Sequence, residues 1–158
     1  MEFSSRCLLL RKLKINDYDK GYMEILSQLT DVGNVTKEQF EYSFNHKISP
    51  NKTILVLEDK NTEKVIASAS LLIEYKFTNQ CGSHGHIEDV VVNNNYRGLG
   101  LGKLLIDELV KISKNVQNHR IILDCQPHNV KFYEKCGFHV RGVEMAIYHK
   151  HNSKQSKL

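Results

Sequence analysis

Apolar positions follow two periods along the chain, and the changes between them predict its elements. Residues 7–17 (CLLLRKLKIND) read as a strand and a turn. Tyr22, Ile25, Leu26 and Leu29 then share one helical face, which predicts a helix over 18–29 capped by Asp17. A loop fills 30–36, and Thr36 is placed to cap a second helix, 37–45, carrying Phe40 and Phe44 one turn apart. β-branched and apolar runs predict strands at 52–59 and 64–77, joined by a turn at 60–63. After a loop at 78–85, another strand is expected at 86–92. The helical period returns over 99–115, with Leu101, Leu105, Leu109 and Ile112 on one stripe. A buried-looking strand covers 120–125. Asn129 is a good N-cap for a short helix, 130–136, which Gly137 ends as a left-handed C′ residue. A last strand is expected over 138–148.

The predicted order is β-α-α-β-β-β-α-β-α-β. The βαβ unit over 86–124 requires parallel strands and a right-handed crossover. The fold class is therefore mixed α/β, a central mixed β-sheet flanked by helices. One domain is expected over 1–150, followed by a basic, flexible tail at 151–158.

Composition narrows the picture only a little. A 41% apolar and 25% charged chain is ordinary for a soluble domain, and no apolar run is long enough to span a bilayer. The start, MEFSSRCLLLRKLK, does not read as a secretory signal. Cys7, Cys81, Cys125 and Cys136 lack any paired spacing, so reduced thiols and a cytoplasmic location are expected. The net charge of +4 decides nothing alone and would suit a small polyanionic ligand, while no dense basic helix or aromatic platform points to nucleic acid.

The richest stretch is HIEDVVVNNNYRGLGLGKLLIDELV, where a strand feeds a helix through Gly98, Gly100 and Gly102. Glycines let a backbone approach a ligand closely. The N-terminus of the helix behind them favours phosphate, with Arg97 and Lys103 adding charge. Spacing excludes the two best-known phosphate loops. A P-loop would need glycine at 97 and Ser or Thr at 104, where Arg97 and Leu104 stand. A dinucleotide fingerprint would need glycine where Lys103 stands.

RGLGLGKLL after an apolar strand resembles the R/Q-x-x-G-x-G/A signature of the GCN5-related N-acetyltransferase superfamily, and NVKFYEKCGF (129–138) resembles its Asn…Tyr…Gly-Phe segment. Together with IILDC and GVEMAI, these runs are similar to the glucosamine-6-phosphate N-acetyltransferase family, densely over 85–147. LTDVGNVT and IEYKF extend the likeness thinly, and 37–63 matches poorly. The resemblance implies acetyl transfer from acetyl-CoA to the amine of glucosamine 6-phosphate, a step of UDP-N-acetylglucosamine synthesis. Direct attack in a ternary complex is implied, in a homodimer whose final strand is an exchanged or interface element.

The resemblance also places residues. Val90, Val91 and Val92, then Arg97, Gly98, Leu99, Gly100, Leu101, Gly102 and Lys103, would hold acetyl-CoA. Asn129, Phe132, Tyr133 and Lys135 would join them, with Tyr133 also the general acid for the departing sulfur. Glu88 and Asp89 would line the sugar site, Glu88 accepting the amine proton directly or through water. Adjacent strand residues face opposite ways, so either only one of the two is catalytic or a bulge distorts the strand near 89–91. Asp124, Thr30, Asn79, Val90 and Lys76 would contact the amino sugar, Lys76 in the phosphate pocket. Tyr148 stands where some relatives carry a phosphate-binding arginine. Either its hydroxyl or the nearby His149, Lys150 and His151 would replace that contact.

Cys81, His84, His86 and Glu88 invite a metal reading, but His86 and Glu88 share a strand face while Cys81 lies in a loop, so no metal is expected. Cys125 and Cys136 read as small core residues. The rival within the enzyme class is a peptide or lysine acetyltransferase without a phosphate pocket. Outside it stands a protein that binds CoA and does no chemistry, against which Glu88, Asp89, Asp124 and Tyr133 speak.

Overall fold

The computed structural model describes residues 7–149. The described residues fall into two compact units, divided between Cys125 and Gln126, which are treated separately below.

The first unit is built on a five-stranded sheet in the order β1-β2-β3-β4-β5. Its strands are β1 (Leu8–Lys12), β2 (Lys52–Asp59), β3 (Lys64–Tyr75), β4 (Ser83–Val92) and β5 (Arg120–Leu123). The first four pair antiparallel in sequence, as hairpins should, and β4 pairs β5 in parallel across the helical crossover. β3 stops two residues short of expectation and β4 starts three residues early. Tyr75 and Ser83 already face each other in register, closing the hairpin over a tight turn at Thr78–Cys81 (α3). Asn79, Gln80 and Cys81 take φ of 51°, 58° and 59° there.

The first predicted helix is the largest local correction. A 3₁₀ turn spans Ile15–Tyr18, and α1 runs only over Tyr22–Leu26 from Gly21, whose φ is 85°. Asp17 caps no helix over 18–29, because its carboxylate is committed elsewhere. It takes 2.7 Å hydrogen bonds from both Arg11 Nη1 and Nη2 and one of 2.8 Å from the Lys14 amide. Arg11 also donates to Glu58, and Lys20 Nζ lies 2.8 Å from the same carboxylate. Lys20, then Arg11 and Lys60, hold the Glu58 carboxyl down at about 2 against the opposing effect of burial. The second helix forms as predicted. Thr36 and Gln39 make a reciprocal capping box at the start of α2 (Lys37–His46).

Apolar residues fill both faces of the sheet. On one face, Tyr22 and Ile25 of α1 and Phe40 of α2 pack with Val56, Val65 and Val91. Burial pushes the Tyr22 hydroxyl up to about 12. On the other lies α4 (Leu101–Asn115), which buries Leu101, Leu105, Ile106 and Leu109. Ile112, expected on that stripe, is only half-buried. Gly85 lets this helix sit close. A Cβ there would meet Leu71 Cδ1 at 2.9 Å and Ser113 Oγ at 3.1 Å. Leu71 and Ile87, cross-strand partners of alternate parity to Ser70 and Glu88, share the α4 face.

β5 was expected to be buried, yet it is an edge strand and Ile122 is 36% exposed. In the second unit a 3₁₀ turn, Pro127–Asn129, leads into α5 (Val130–Lys135). Asn129 lies within that turn, and its side chain makes no capping bond, contrary to the prediction. Gly137 does end the helix, at φ 90°. Gly137 N–H donates to Glu134 O and Phe138 N–H to Tyr133 O, a Schellman closure. The strand expected over 138–148 does not form. Among the described residues the segment joins no sheet, and a strand needs a neighbour for its backbone groups. Val143, Met145 and Ile147 alternate along it at 91%, 94% and 86% exposure.

Candidate active site

Sheet register alone brings the acidic site together. Lys52 pairs with Leu72, Leu72 with His86 and His86 with Ile122, so one row crosses four strands. The next row on the same face holds Ile54, Ser70 and Glu88, with Asp124 just past the end of β5. The β4–β5 ladder ends at Ile87 and Leu123, immediately before Glu88 and Asp124. Both carboxylates therefore stand where the two strands stop pairing.

The alternatives left open by the adjacent acids resolve in favour of a bulge. Ser70 faces Glu88 and Ser68 faces Val91, so Ala69 opposes two residues. Asp89 takes φ 54°, a left-handed conformation that only a built feature sustains in a strand. Both acids consequently reach one point. Lys52 Nζ lies 2.9 Å from Glu88 Oε2 and 3.3 Å from Asp89 Oδ2. The Ser70 hydroxyl donates to the Glu88 carbonyl at 3.1 Å and lies 3.5 Å from Asp89 Oδ2. The acids raise the Lys52 ammonium above its usual range, although burial, the largest single influence, works against them.

Asp124 is held by a neighbour absent from the predicted set. His86 Nε2 lies 3.1 Å from Asp124 Oδ2, and His86 Nδ1 lies 3.8 Å from Glu88 Oε1. Sequence reasoning placed His86 on the Glu88 face and expected of it only loop packing beside the sugar site. Lys52 it missed altogether, because that contact crosses 36 residues of sequence and two hairpins.

β4 runs from the bulge into the glycine turn. Val91 packs in the core, so only its backbone is open to a ligand, while Val90 and Val92 are half-buried. The turn is braced from outside. Gln28 Oε1 accepts from the Asn94 amide at 2.8 Å, and the Tyr96 hydroxyl donates to Asp59 at 2.7 Å. Arg97 Nε donates to the Val92 carbonyl at 3.1 Å. Gly98 and Gly100 each take φ 77°, and nothing lies within 4 Å of a Cβ built on either. α4 starts at Leu101, two residues later than predicted, with its first bond from Leu104 N–H to Gly100 O at 3.0 Å. The amides that open the helix lie ahead of that bond, at the positive end of its dipole. Open space beside two glycines and the positive end of a helix dipole together suit an anion. Leu99 and Gly102 are half-buried beside it, Leu101 is buried, and Lys103 Nζ pairs with Asp107 at 2.6 Å.

The remaining predicted contacts are more scattered. Thr30 is exposed just after α1, with its amide bonded to Leu26 O. Asn79 sits exposed in the left-handed turn. Lys76 Nζ lies 2.7 Å from Glu74 Oε2, so its charge is already partly engaged. In the second unit, the Tyr133 ring packs edge-on between Phe132 and Phe138, at 4.9 and 6.2 Å between centroids. Asn129 and Lys135 are exposed, and Tyr148 is 91% exposed. Cys125 is exposed and Cys136 half-buried, so neither is a core residue. Lys150, His151 and the tail at 151–158 lie outside the described residues.

A sheet bulged at paired carboxylates and leading through a glycine turn into a helix can be compared with known proteins. The model described as "Acetyltransferase (GNAT) family" matches residues 20–138. The chain is 51% identical over 140 residues to glucosamine 6-phosphate N-acetyltransferase 1 of Dictyostelium discoideum, covering 87% of this chain and 88% of that protein. It is 41% identical over 141 residues to the Arabidopsis thaliana glucosamine 6-phosphate N-acetyltransferase, covering 88% and 95%. The crystal structure of glucosamine-6-phosphate N-acetyltransferase from Arabidopsis thaliana superposes with a TM-score of 0.87, at 40% identity over 91% of this chain and 99% of that one. The family match spans the bulge, the turn and the crossover, and the chain belongs to the acetyltransferase (GNAT) family, alongside the glucosamine 6-phosphate N-acetyltransferases.

Proposed function

We propose that the protein transfers the acetyl group of acetyl-CoA to the amine of glucosamine 6-phosphate, by direct attack in a ternary complex, giving N-acetylglucosamine 6-phosphate and CoA. The observation that carries the reading is the bulge. It turns Glu88 and Asp89 onto one cationic group, which is what recognition of a protonated amine requires. The names of the relatives supply the sugar.

Acetyl-CoA, when bound, supplies the acetyl group already activated as a thioester. The backbone amides of 98–103 and the N-terminus of α4 would hold its pyrophosphate, since the space beside Gly98 and Gly100 is open. Glu88 takes the proton from the amine. A sugar amine is less basic than a lysine, because ring oxygens withdraw electrons, so a modest base suffices. Asp89 and Asp124 orient the amine, and fixed geometry can account for about 7–11 kcal/mol of the barrier at best. The resemblance assigns Tyr133 the proton for the departing sulfur, and Thr30, Lys76, Asn79 and Tyr148 the sugar and its phosphate.

The working form is a homodimer in the cytoplasm. The alternating exposed Val143, Met145 and Ile147, and the open edge of β5, support a strand completed by a second copy. Among the described residues no helix is long and apolar enough to cross a membrane.

The test is thiol release from acetyl-CoA with glucosamine 6-phosphate, glucosamine and a lysine peptide in parallel. Turnover confined to the phosphorylated sugar is expected. Turnover with the peptide alone would overturn the substrate, and a monomeric mass by sedimentation would overturn the dimer.

A further inference from the structure

His86 stands between two carboxylates of the site and has no part in the reading above. It shares a face with Glu88 on β4, two residues away, and its register partner Ile122 lies two residues before Asp124. Its imidazole therefore bridges the gap left where β4 and β5 stop pairing. Nε2 meets Asp124 Oδ2 at 3.1 Å, and Nδ1 faces Glu88 Oε1 at 3.8 Å. The other Glu88 oxygen, Oε2, is held by Lys52 at 2.9 Å.

These contacts fix the chemistry of the ring. An ionised aspartate only accepts, so the Asp124 contact requires the proton on Nε2. A neutral His86 then turns the lone pair of Nδ1 towards Glu88. That arrangement is idle while Glu88 is ionised, since two acceptors face each other. It becomes useful when Glu88 has taken a proton from substrate. The Nδ1–Oε1 separation is about half an ångström beyond an ordinary hydrogen bond, which a small rotation of the carboxyl closes.

We propose that His86 is a positioning residue that acts through Glu88, holding Asp124 and relieving Glu88 of the proton taken from the amine. The proposal rests on the acetyl-transfer reading. The balance is simple. The proton leaves the substrate ammonium for Glu88 Oε1, passes to His86 Nδ1, and the imidazolium so formed is stabilised by Asp124. When product leaves, the Nδ1 proton passes to water, which restores the neutral Nε2–H tautomer that Asp124 holds. The arrangement has the logic of a carboxylate that fixes a histidine tautomer behind a proton transfer. The charged groups around the ring are Glu88 and Asp89 on β4, Lys52 on β2, Glu74 on β3, which feels the ring electrostatically, and Asp124 after β5.

Two variants separate a relay from a brace. His86→Gln can keep a donor to Asp124 but cannot accept and release a proton, whereas His86→Leu loses both. With glucosamine 6-phosphate saturating, both are expected to lower kcat by roughly 10-fold or more, while the Kd for acetyl-CoA stays within 2-fold of wild type. The KM for glucosamine 6-phosphate should rise further in His86→Leu than in His86→Gln. Increasing imidazole buffer should raise kcat of both variants and leave wild type flat, which a merely structural role would not produce. Full kcat in His86→Gln, or no buffer response in either variant, overturns the relay. A wild-type protein that does not turn over glucosamine 6-phosphate overturns the functional reading and the inference together. Active wild type with buffer-insensitive variants overturns the inference alone.

Discussion

Replacing Gly100 by alanine separates what the fold needs at this position from what a ligand needs. The residue takes φ 77° at the entrance to α4, and no protein atom lies within 4 Å of the Cβ that alanine would add. The cost to the fold is then only that of a left-handed non-glycine residue, about 1–2 kcal/mol. For a chain of this size that lowers Tm by roughly 2–8 °C. If the turn cradles a pyrophosphate, the methyl group occupies space the ligand needs. Losing one charge-assisted amide contact, about 1.5–3 kcal/mol, weakens binding by roughly 10- to 100-fold. The assay is urea unfolding beside calorimetric titration with acetyl-CoA. Gly100→Asn is the control, because asparagine tolerates left-handed geometry better and should recover stability without recovering affinity. Unchanged affinity in a folded Gly100→Ala protein would refute the phosphate assignment. A loss above about 3 kcal/mol would refute the claim that the space is open, since strain alone does not reach it.

Five further outcomes follow from named contacts. Lys52→Met should change stability by no more than about 1 kcal/mol, because its partners are partly exposed. In the same variant, kcat/KM for the amino sugar should fall roughly 10-fold, with acetyl-CoA affinity retained; unchanged kcat/KM would remove Lys52 from the site. Tyr133→Phe keeps the aromatic contacts with Phe132 and Phe138, so slower turnover with intact acetyl-CoA binding is expected, and normal turnover would dismiss it as the acid. Arg11→Met should cost about 3–5 kcal/mol in urea unfolding, because it takes from Asp17, which is 0% exposed, its charged partner, and from Glu58, which is 2% exposed, one of three. In wild type the folded Glu58 carboxyl lies at about 2, below its ordinary 4.5, so its contribution is present above pH 4.5 and is lost as pH falls towards 2; acid unfolding midpoints that do not move in Glu58→Gln would contradict this. Gly85→Ala should destabilise by about 1–3 kcal/mol, because its Cβ would press on Leu71 and Ser113; a neutral result would mean that α4 can shift.

What the sequence revealed depended on how far each cause reaches along the chain. Thr36 and Gln39 are three residues apart, and their capping box was legible. Gly137 closes its helix through bonds spanning five residues, and it too was read correctly. Asp17 looked equally local, yet Arg11 claims its carboxylate, and Arg11 is itself shared with Glu58, which lies 47 residues further along the chain. The helix it seemed to start was therefore displaced to Gly21. The bulge was foreseen as one of two alternatives, because adjacent acids cannot share a strand face. Its exact form needed the β3 register, which no periodicity encodes. The segment 138–148 carries a clear strand pattern, yet among the described residues nothing pairs with it.

The position of the bulge follows from the sheet's own geometry. A carboxylate that must meet an amine has to keep access to water, yet its backbone must be rigid. Within a paired ladder, residues 88 and 89 would point to opposite faces, and Asp89 would be directed towards the layer packed by α4. Inserting one residue opposite Ala69 returns Val91 to the helical core on the first face and frees Asp89 to turn outwards at 53% side-chain exposure. The insertion is tolerated here because the ladder to β5 has already ended at Ile87 and Leu123, so only the β3 side must adjust. The same ending leaves space for His86 to reach Asp124. One local irregularity thus supplies the second acid and restores the core, at the point where the strands have already parted. A variant that straightened it would lose both together.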